Sequence, residues 1–470
     1  MNLPPSFEHT TRELLGESYE SFREALLGEP AVSIRLNPAK WRGAVDYEPV
    51  PWATDAYYLL ERPPFTFDPL LHGGCYYVQE ASSMFVEQAV RQHLGEARVA
   101  LDLCAAPGGK STLLRSLLPD ECVLVSNEVM RPRAQVLAEN ITKWGHNRCV
   151  VTSNYPADFT SLGELFDLVL VDAPCSGEGM FRKDEVAVAE WSPENVEVCW
   201  KRQRNILTDI WPTLRPGGLL IYSTCTFNTQ EDEENVRWMV DELDAELLPV
   251  STEESWGITP SLVPGVEHAY RFLPGRTRGE GFFLAVLRKG GEPHPVCEEE
   301  PGGATMKRRS ADKKAKGKQP MMAVPSECKS WLAASNYIYK VETDGVVAMP
   351  ADMEPLVATL ATRLHLVHYG IPLAIMKGRD AVPTHELAMS TALCAEAFAR
   401  CELSYADALR YLHREAVTLA PDTPRGFVVV TYRGVPLGFV KNLGNRANNL
   451  YPNEWRIRSG YFPDEVVTVV

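Results

Sequence analysis

Between residues 99 and 225 the chain repeats one unit: a short, almost unbroken apolar run, a small polar turn, and a stretch with helical spacing. Apolar runs at 99–103, 122–126, 149–152, 166–171 and 218–223 predict five strands. Segments 110–118, 134–144, 195–214 and 232–243 predict the intervening helices, and a further strand pair is predicted at 246–250 and 282–286. Ser192-Pro193 supplies an N-cap and a first-turn proline for the third of these helices. Strands apolar along their whole length must be covered on both faces, which implies an α/β fold with a doubly wound parallel sheet. Ligands of such sheets bind outside the carboxyl ends of the strands. Cys104, Glu128, Asp172, Cys175 and Cys225 all fall at or just past those ends.

A chain of 470 residues is too long for one core. Five parts are expected: an α+β N-terminal domain at 1–95, the α/β domain at 96–289, a linker at 290–325, a small α/β intermediate domain at 326–415 and a β-rich module at 416–470. Within the first part, Arg35 and Asn37 on a predicted strand at 32–37 read as a surface hydrogen-bonding pair. The linker carries seven basic residues and one acidic residue in MKRRSADKKAKGK, without apolar periodicity. It reads as a solvated tether, with phosphate contact as the sharper alternative. The run FVVVTYRGVPLGFV at 427–440 predicts a hairpin about Arg-Gly. Arg433, Lys441, Arg446, Arg456 and Arg458 beside it suit either an RNA-facing or a protein-docking surface.

Eleven scattered cysteines without a CxxC pair give neither a disulfide framework nor a metal site. With no apolar run of membrane-spanning length and no secretory start, a cytoplasmic protein with no membrane partner is expected. A net charge of −15 argues against indiscriminate coating of nucleic acid but leaves local basic patches open.

The chemistry concentrates in three stretches. LDLCAAPGGKST at 101–112 is a strand, a Gly-rich turn and a helix start, where backbone N–H groups face an anion. It approaches a nucleotide-binding P-loop, but Cys104 stands where the first glycine should be. Glu128, nineteen residues past Gly109, is placed to grip ribose hydroxyls, and with no GxGxxG present S-adenosylmethionine is the natural cofactor. VDAPCSGEGMFRK at 171–183 and YSTCTF at 222–227 then deliver Cys175 and Cys225 to neighbouring strand ends. A single strand-end cysteine is usually a core residue. Two of them, beside Asp172 and a cofactor turn, read as chemistry.

Four motifs in order, LDLCAAPGGKS, Asn127-Glu128, VDAPCSGEGMFRKD and IYSTCTFN, resemble those of the RNA cytosine-5 methyltransferases of the NOL1/NOP2/Sun family. RLNP at 35–38, the run at 72–84 and RFLPGRTRGEGFF at 271–283 are similar to that family's flanking motifs, and 426–458 resembles the PUA-like domain of its bacterial RsmF-type members. The resemblance implies a Rossmann-like class I methyltransferase fold and methylation of RNA, with 16S ribosomal RNA or the small subunit as partner and no metal. It implies Cys225 as the nucleophile that bonds C6 of cytosine, Cys175 as the group assisting release, and Asp172 on the base edge. Cys104, Ala105, Ala106, Pro107, Gly108, Gly109, Lys110, Glu128, Arg133 and Asp172 would hold S-adenosylmethionine. Asn154 takes the place where many relatives put an aspartate against the adenine. Arg271, Arg276, Arg278, Arg288, Lys201, Arg202 and Arg204 are candidate phosphate contacts, and a monomer is expected. A transfer RNA target, a non-catalytic ribosome assembly factor and a P-loop ATPase are the rival readings; the paired cysteines count against the second and Cys104 against the third.

Overall fold

The computed structural model describes residues 2–291, 324–343, 345–378, 380–463 and 465–470. The charged segment expected as a linker lies almost wholly outside these described residues.

The central unit contains strands β1 (Val99–Asp102), β2 (Val123–Asn127), β3 (Cys149–Thr152), β4 (Phe166–Asp172), β5 (Leu214–Thr224), β6 (Ala245–Leu248) and β7 (Phe282–Lys289). Its principal helices are α1 (Gly109–Leu117), α2 (Arg131–Trp144), α3 (Pro193–Ile210) and α4 (Glu233–Leu243). The strand order is β3-β2-β1-β4-β5-β7-β6; the first five are mutually parallel and β7 runs antiparallel to β5. The chain moves outward from β1 to β3, then returns across β1 to place β4 on its other side. That reversal opens a crevice at the carboxyl ends of β1 and β4. Side chains of β4 alternate as a two-faced strand must. Leu168 and Leu170 join one buried layer with Leu124, Ile221 and Leu284, while Val169 and Val171 join the other with Ile206, Leu207 and Val236.

The predicted helix at 195–214 ends four residues early, at Ile210. Pro212 has no N–H to continue the ladder, so the chain tightens into a short 3₁₀ turn, Trp211–Thr213. β5 begins at once, four residues before the predicted start at 218, and pairs Phe166 with Leu214 before a register shift at Pro216-Gly217-Gly218. Ser192 caps α3 as expected, its side chain accepting from the Asn195 N–H.

The N-terminal unit has helices Pro5–Leu15 and Tyr19–Leu27 followed by a four-stranded antiparallel sheet. Two further four-stranded sheets follow the central unit. The last of them includes strand Ala399–Glu402, paired in parallel with Gly426–Tyr432, so the C-terminal unit starts before the expected border at 416. The hairpin is present: Gly426–Tyr432 pairs with Val435–Asn442, turning on Arg433 and Gly434, both at positive φ. Its inner face is covered by the N-terminal unit. Ile34, Leu36, Phe67, Leu70 and Tyr76 share one buried cluster with Leu409, Val428, Val430, Val440 and Val469. Arg433 is exposed, with its guanidinium over the Trp41 ring and donating to the Val470 carbonyl.

One connection joins sheets expected to be separate. Strand β8 (Leu366–Tyr369), from the intermediate segment, pairs antiparallel with β3 and closes that edge of the central sheet.

Arg271, expected at a phosphate-binding surface, is buried. Its guanidinium forks onto the Glu233 carboxylate, donates to the Phe227 carbonyl at 2.7 Å and lies 3.2 Å from Asp232. Removing one member of a buried pair leaves uncompensated charge, so Arg271→Ala should cost about 3–5 kcal/mol. Urea unfolding measures this, and an unchanged midpoint would contradict the assignment.

Candidate active site

At the end of β1 the chain leaves the sheet through the turn Cys104 to Gly108 and enters α1 at Gly109. Gly108 has φ +118, a conformation few side chains tolerate, and the Ala106–Pro107 bond is cis. Two carbonyls of the turn and the first of α1 are held from outside. Arg133 donates to Ala106 O at 2.9 Å, Asn140 to Pro107 O at 2.8 Å, and Arg35 to Gly109 O at 3.3 Å. With its carbonyls held, the turn presents the first amides of α1, which have no intrahelical partner. Behind it the Ser111 hydroxyl donates to Asp102 at 2.6 Å; burial pushes the Asp102 carboxyl up to about 7 despite that bond. Burial likewise raises the Cys104 thiol, which packs against the buried layer that holds Leu101 and Leu103.

Arg35 and Asn37 are not a surface pair. Arg35 is buried, stacks over Trp144, and donates to Gln79 at 3.0 Å and to the Thr112 hydroxyl at 2.6 Å. Asn37 donates to Gly74 O and Trp144 O. An N-terminal strand therefore braces the first turn of α1.

At the end of β2, Glu128 sits at the crevice, taking the Met130 N–H at 2.9 Å and lying 3.1 Å from Arg133. Asp172 ends β4 opposite Ser223 of β5. Its two oxygens accept from Ser223 Oγ at 2.8 Å and Lys110 Nζ at 2.9 Å. Burial alone would lower the Lys110 ammonium, but the charge and hydrogen bond of Asp172 outweigh it and raise the group.

Just beyond, the two thiols meet: Cys175 Sγ and Cys225 Sγ are 3.2 Å apart, and both residues are half-buried. Their turns hold each other. Gly179 N–H donates to the Cys225 carbonyl at 2.9 Å. Glu231 accepts from the Ser176 N–H at 3.0 Å, Asn228 at 2.8 Å and Gln203 at 2.7 Å. Glu178 accepts from the Phe227 N–H and from Trp191. The hydrogen bond to Cys225, together with burial, pushes the Cys175 thiol well above the ordinary range. Burial and the contact both favour the protonated form of Cys175, and either sulfur can donate in the pair. Glu178, Glu231, Asn228 and Gln203 were not singled out in the sequence, and the available signal was that Glu178 and Asn228 lie within the motifs; Arg35 was singled out, but for the surface.

Asn154 reaches the same edge, but its carboxamide is engaged by backbone of the intermediate segment, accepting from His365 N–H at 2.9 Å. Among the basic candidates, Arg204 stacks over Trp200 and bonds Asn235, Arg278 pairs with Glu48, and Arg288 donates to the His93 carbonyl.

Residues 90–288 match the family model described as 16S rRNA methyltransferase RsmB/F, residues 3–81 the N-terminal domain of 16S rRNA methyltransferase RsmF, and 398–457 the methyltransferase RsmF PUA domain. The ribosomal RNA small subunit methyltransferase F of Enterobacter sp. (strain 638) is 31% identical over 435 residues, covering 89% of this chain and 85% of that protein. This chain belongs to the RsmB/F family. The Serratia proteamaculans protein of the same name is 30% identical, with 96% of each chain covered. A methyltransferase homologue from Pyrococcus horikoshii shares the fold at a TM-score of 0.51 and 27% identity, covering 61% of this chain and all of that one. The archaeal NSun6 solved with SFG also shares it, at a TM-score of 0.50 and 19% identity, covering 62% of this chain and 99% of that one. The protein is a ribosomal RNA methyltransferase that uses S-adenosylmethionine. Among the described residues no helix is long and apolar enough to cross a membrane.

Proposed function

We propose that this RsmB/F enzyme methylates C5 of a cytosine in 16S ribosomal RNA of the small subunit, in the cytoplasm, through a covalent bond between Cys225 and C6. The observation that carries the reading is the contact of two thiols at 3.2 Å at the strand ends that also carry Asp172 and its partner Lys110.

The donor set suits a nucleoside that carries an amino acid. Amides at the start of α1 would take its carboxylate, Glu128 its ribose hydroxyls, and Cys104–Gly109 would supply the surrounding wall, with Arg133 bracing it. When bound, S-adenosylmethionine supplies an electrophilic methyl group. Cytosine C5 is too weak a nucleophile to take a methyl group unaided. Cys225 remedies this by adding its sulfur to C6, which pushes electron density onto C5. Asp172, fixed by Ser223 and Lys110, holds the base edge. Cys175 assists the last stage, in which the C5 proton passes to solvent, its bonding pair re-forms the C5–C6 double bond, and the C6–S pair leaves with Cys225. The base must leave its stack to reach two half-buried sulfurs.

Bisulfite sequencing of total RNA from cells with and without the gene tests the target. Loss of at least one protected cytosine in 16S ribosomal RNA is expected. Unchanged 16S protection, or loss confined to transfer RNA, would overturn this target.

A further inference from the structure

The edge of the cofactor crevice is not closed by the central unit alone. The loop after β3 is held by residues more than two hundred positions later in the chain. His365 N–H donates to Asn154 Oδ1 at 2.9 Å, and the His365 carbonyl accepts from Asn154 Nδ2 at 3.2 Å and from the Ser153 N–H at 3.0 Å. Asn154 passes the constraint inward. Its N–H donates to Asn127 Oδ1 at 3.0 Å, where the Thr152 hydroxyl also donates at 2.8 Å. Asn127 Nδ2 returns bonds to the carbonyls of Asn154 at 3.0 Å and Leu103 at 3.1 Å, and its own carbonyl takes the Ala105 N–H at 2.8 Å. One short chain of contacts thus runs from His365 to the turn that carries Cys104. Asn127 and Thr152 are fully buried, so water does not replace a bond lost there.

The far end of this chain is anchored. β8 pairs with β3 directly after His365. Met349, Met353, Val357, Leu360 and Leu364 pack into the same layer as Val150 and Phe159. Arg148 forks onto Asp352 at 2.8 and 3.0 Å. The intermediate unit cannot shift without drawing on the loop at 153–155.

We propose that the intermediate unit is a positioning part of the cofactor site: the His365 backbone, acting through Asn154 and Asn127, sets the loop after β3 against the turn after β1. This rests on the strand-end cofactor pocket proposed above. It gives Asn154 a different duty from direct contact with the adenine, because both functional atoms of its carboxamide are bonded to His365. It also gives the added strand a purpose: affinity for the cofactor is tuned from outside the α/β unit.

The test uses the full-length protein and S-adenosylhomocysteine as an unreactive probe. Calorimetry should show Asn154→Ala weakening binding roughly tenfold, the effect of losing buried hydrogen bonds that are expressed only when the site is ordered. Asn154→Asp, a milder change that keeps the acceptor for His365 N–H, should weaken it about threefold and guards against loss of folding. Hydrogen exchange read by mass spectrometry should show the probe slowing exchange at 364–369 as well as at 103–110 in the wild type, and only at 103–110 in Asn154→Ala. A variant that melts earlier yet binds the probe as the wild type does would reduce the contact to a structural tie and overturn the proposal. Slowing at 103–110 without slowing at 364–369 in the wild type would overturn it while leaving the pocket intact. Slowing at neither would reject the pocket itself.

Discussion

Cys225→Ala is expected to lower methyl transfer to 16S ribosomal RNA on the order of 10⁴-fold or more, while cofactor affinity stays within about twofold. A loss of that size corresponds to about 5.5 kcal/mol of transition-state stabilisation, more than any single hydrogen bond at the site could account for. The assignment turns on the proton between the two sulfurs. Cys175 is pushed up by its bond to Cys225 and by burial, which favours its protonated form beside the Cys225 sulfur. A donor at 3.2 Å stabilises negative charge on Cys225, and the opposite assignment would require the protonated partner to attack. The alanine also leaves the cofactor contacts alone, because Glu128 and the turn after β1 do not bond Cys225. Tritiated methyl incorporation measures the rate and calorimetry the affinity. Retained transfer would move the nucleophile to Cys175.

Cys175→Ala should produce the opposite defect, a bond that forms and is not broken. With substrate RNA and S-adenosylmethionine present, a protein–RNA species stable to denaturing electrophoresis should accumulate within a turnover, while release falls by about 10²–10⁴-fold, the usual contribution of a positioned acid or base. The physical reason is the same contact. Breaking the Cys225–C6 bond regenerates a sulfur anion, and the Cys175 thiol, whose protonated form burial favours, stands 3.2 Å away to hydrogen-bond it. The double variant Cys175→Ala/Cys225→Ala controls for non-specific trapping and should give no such species. Failure of the single variant to trap RNA would mean that the two cysteines do not divide the work in this way.

The strands of the central sheet were legible because a parallel strand buried on both faces can hardly be written in anything but apolar residues, as at 168–171. Cys175 and Cys225 were legible as a pair because each ends such a strand. The groups that hold the site were harder to read for a physical reason: a polar letter does not say what it will face. Arg35 looks like a surface arginine until Gly109 and Thr112, more than seventy residues on, arrive above it. Arg271 reads as a phosphate contact until Asp232 and Glu233 bury it. Asn154 was placed at the right edge of the crevice, but its partner is backbone at His365, and a backbone partner leaves no mark in side-chain spelling. β8 was hidden for a related reason: LVHY is a short mixed run whose strand character comes from an unpaired edge waiting at β3.

The cluster shared by Ile34, Leu36, Leu70, Val428 and Val440 has a consequence for the birth of the molecule. A ribosome makes the first of these residues long before the last; at ~5–20 residues per second the interval is roughly 20–80 s. Throughout it the apolar face of the N-terminal sheet has no cover of its own. An enzyme that modifies ribosomal RNA would thus spend its own synthesis with a sticky surface held next to a ribosome, and its yield in cells should depend on the chaperones that shield that surface until the hairpin arrives.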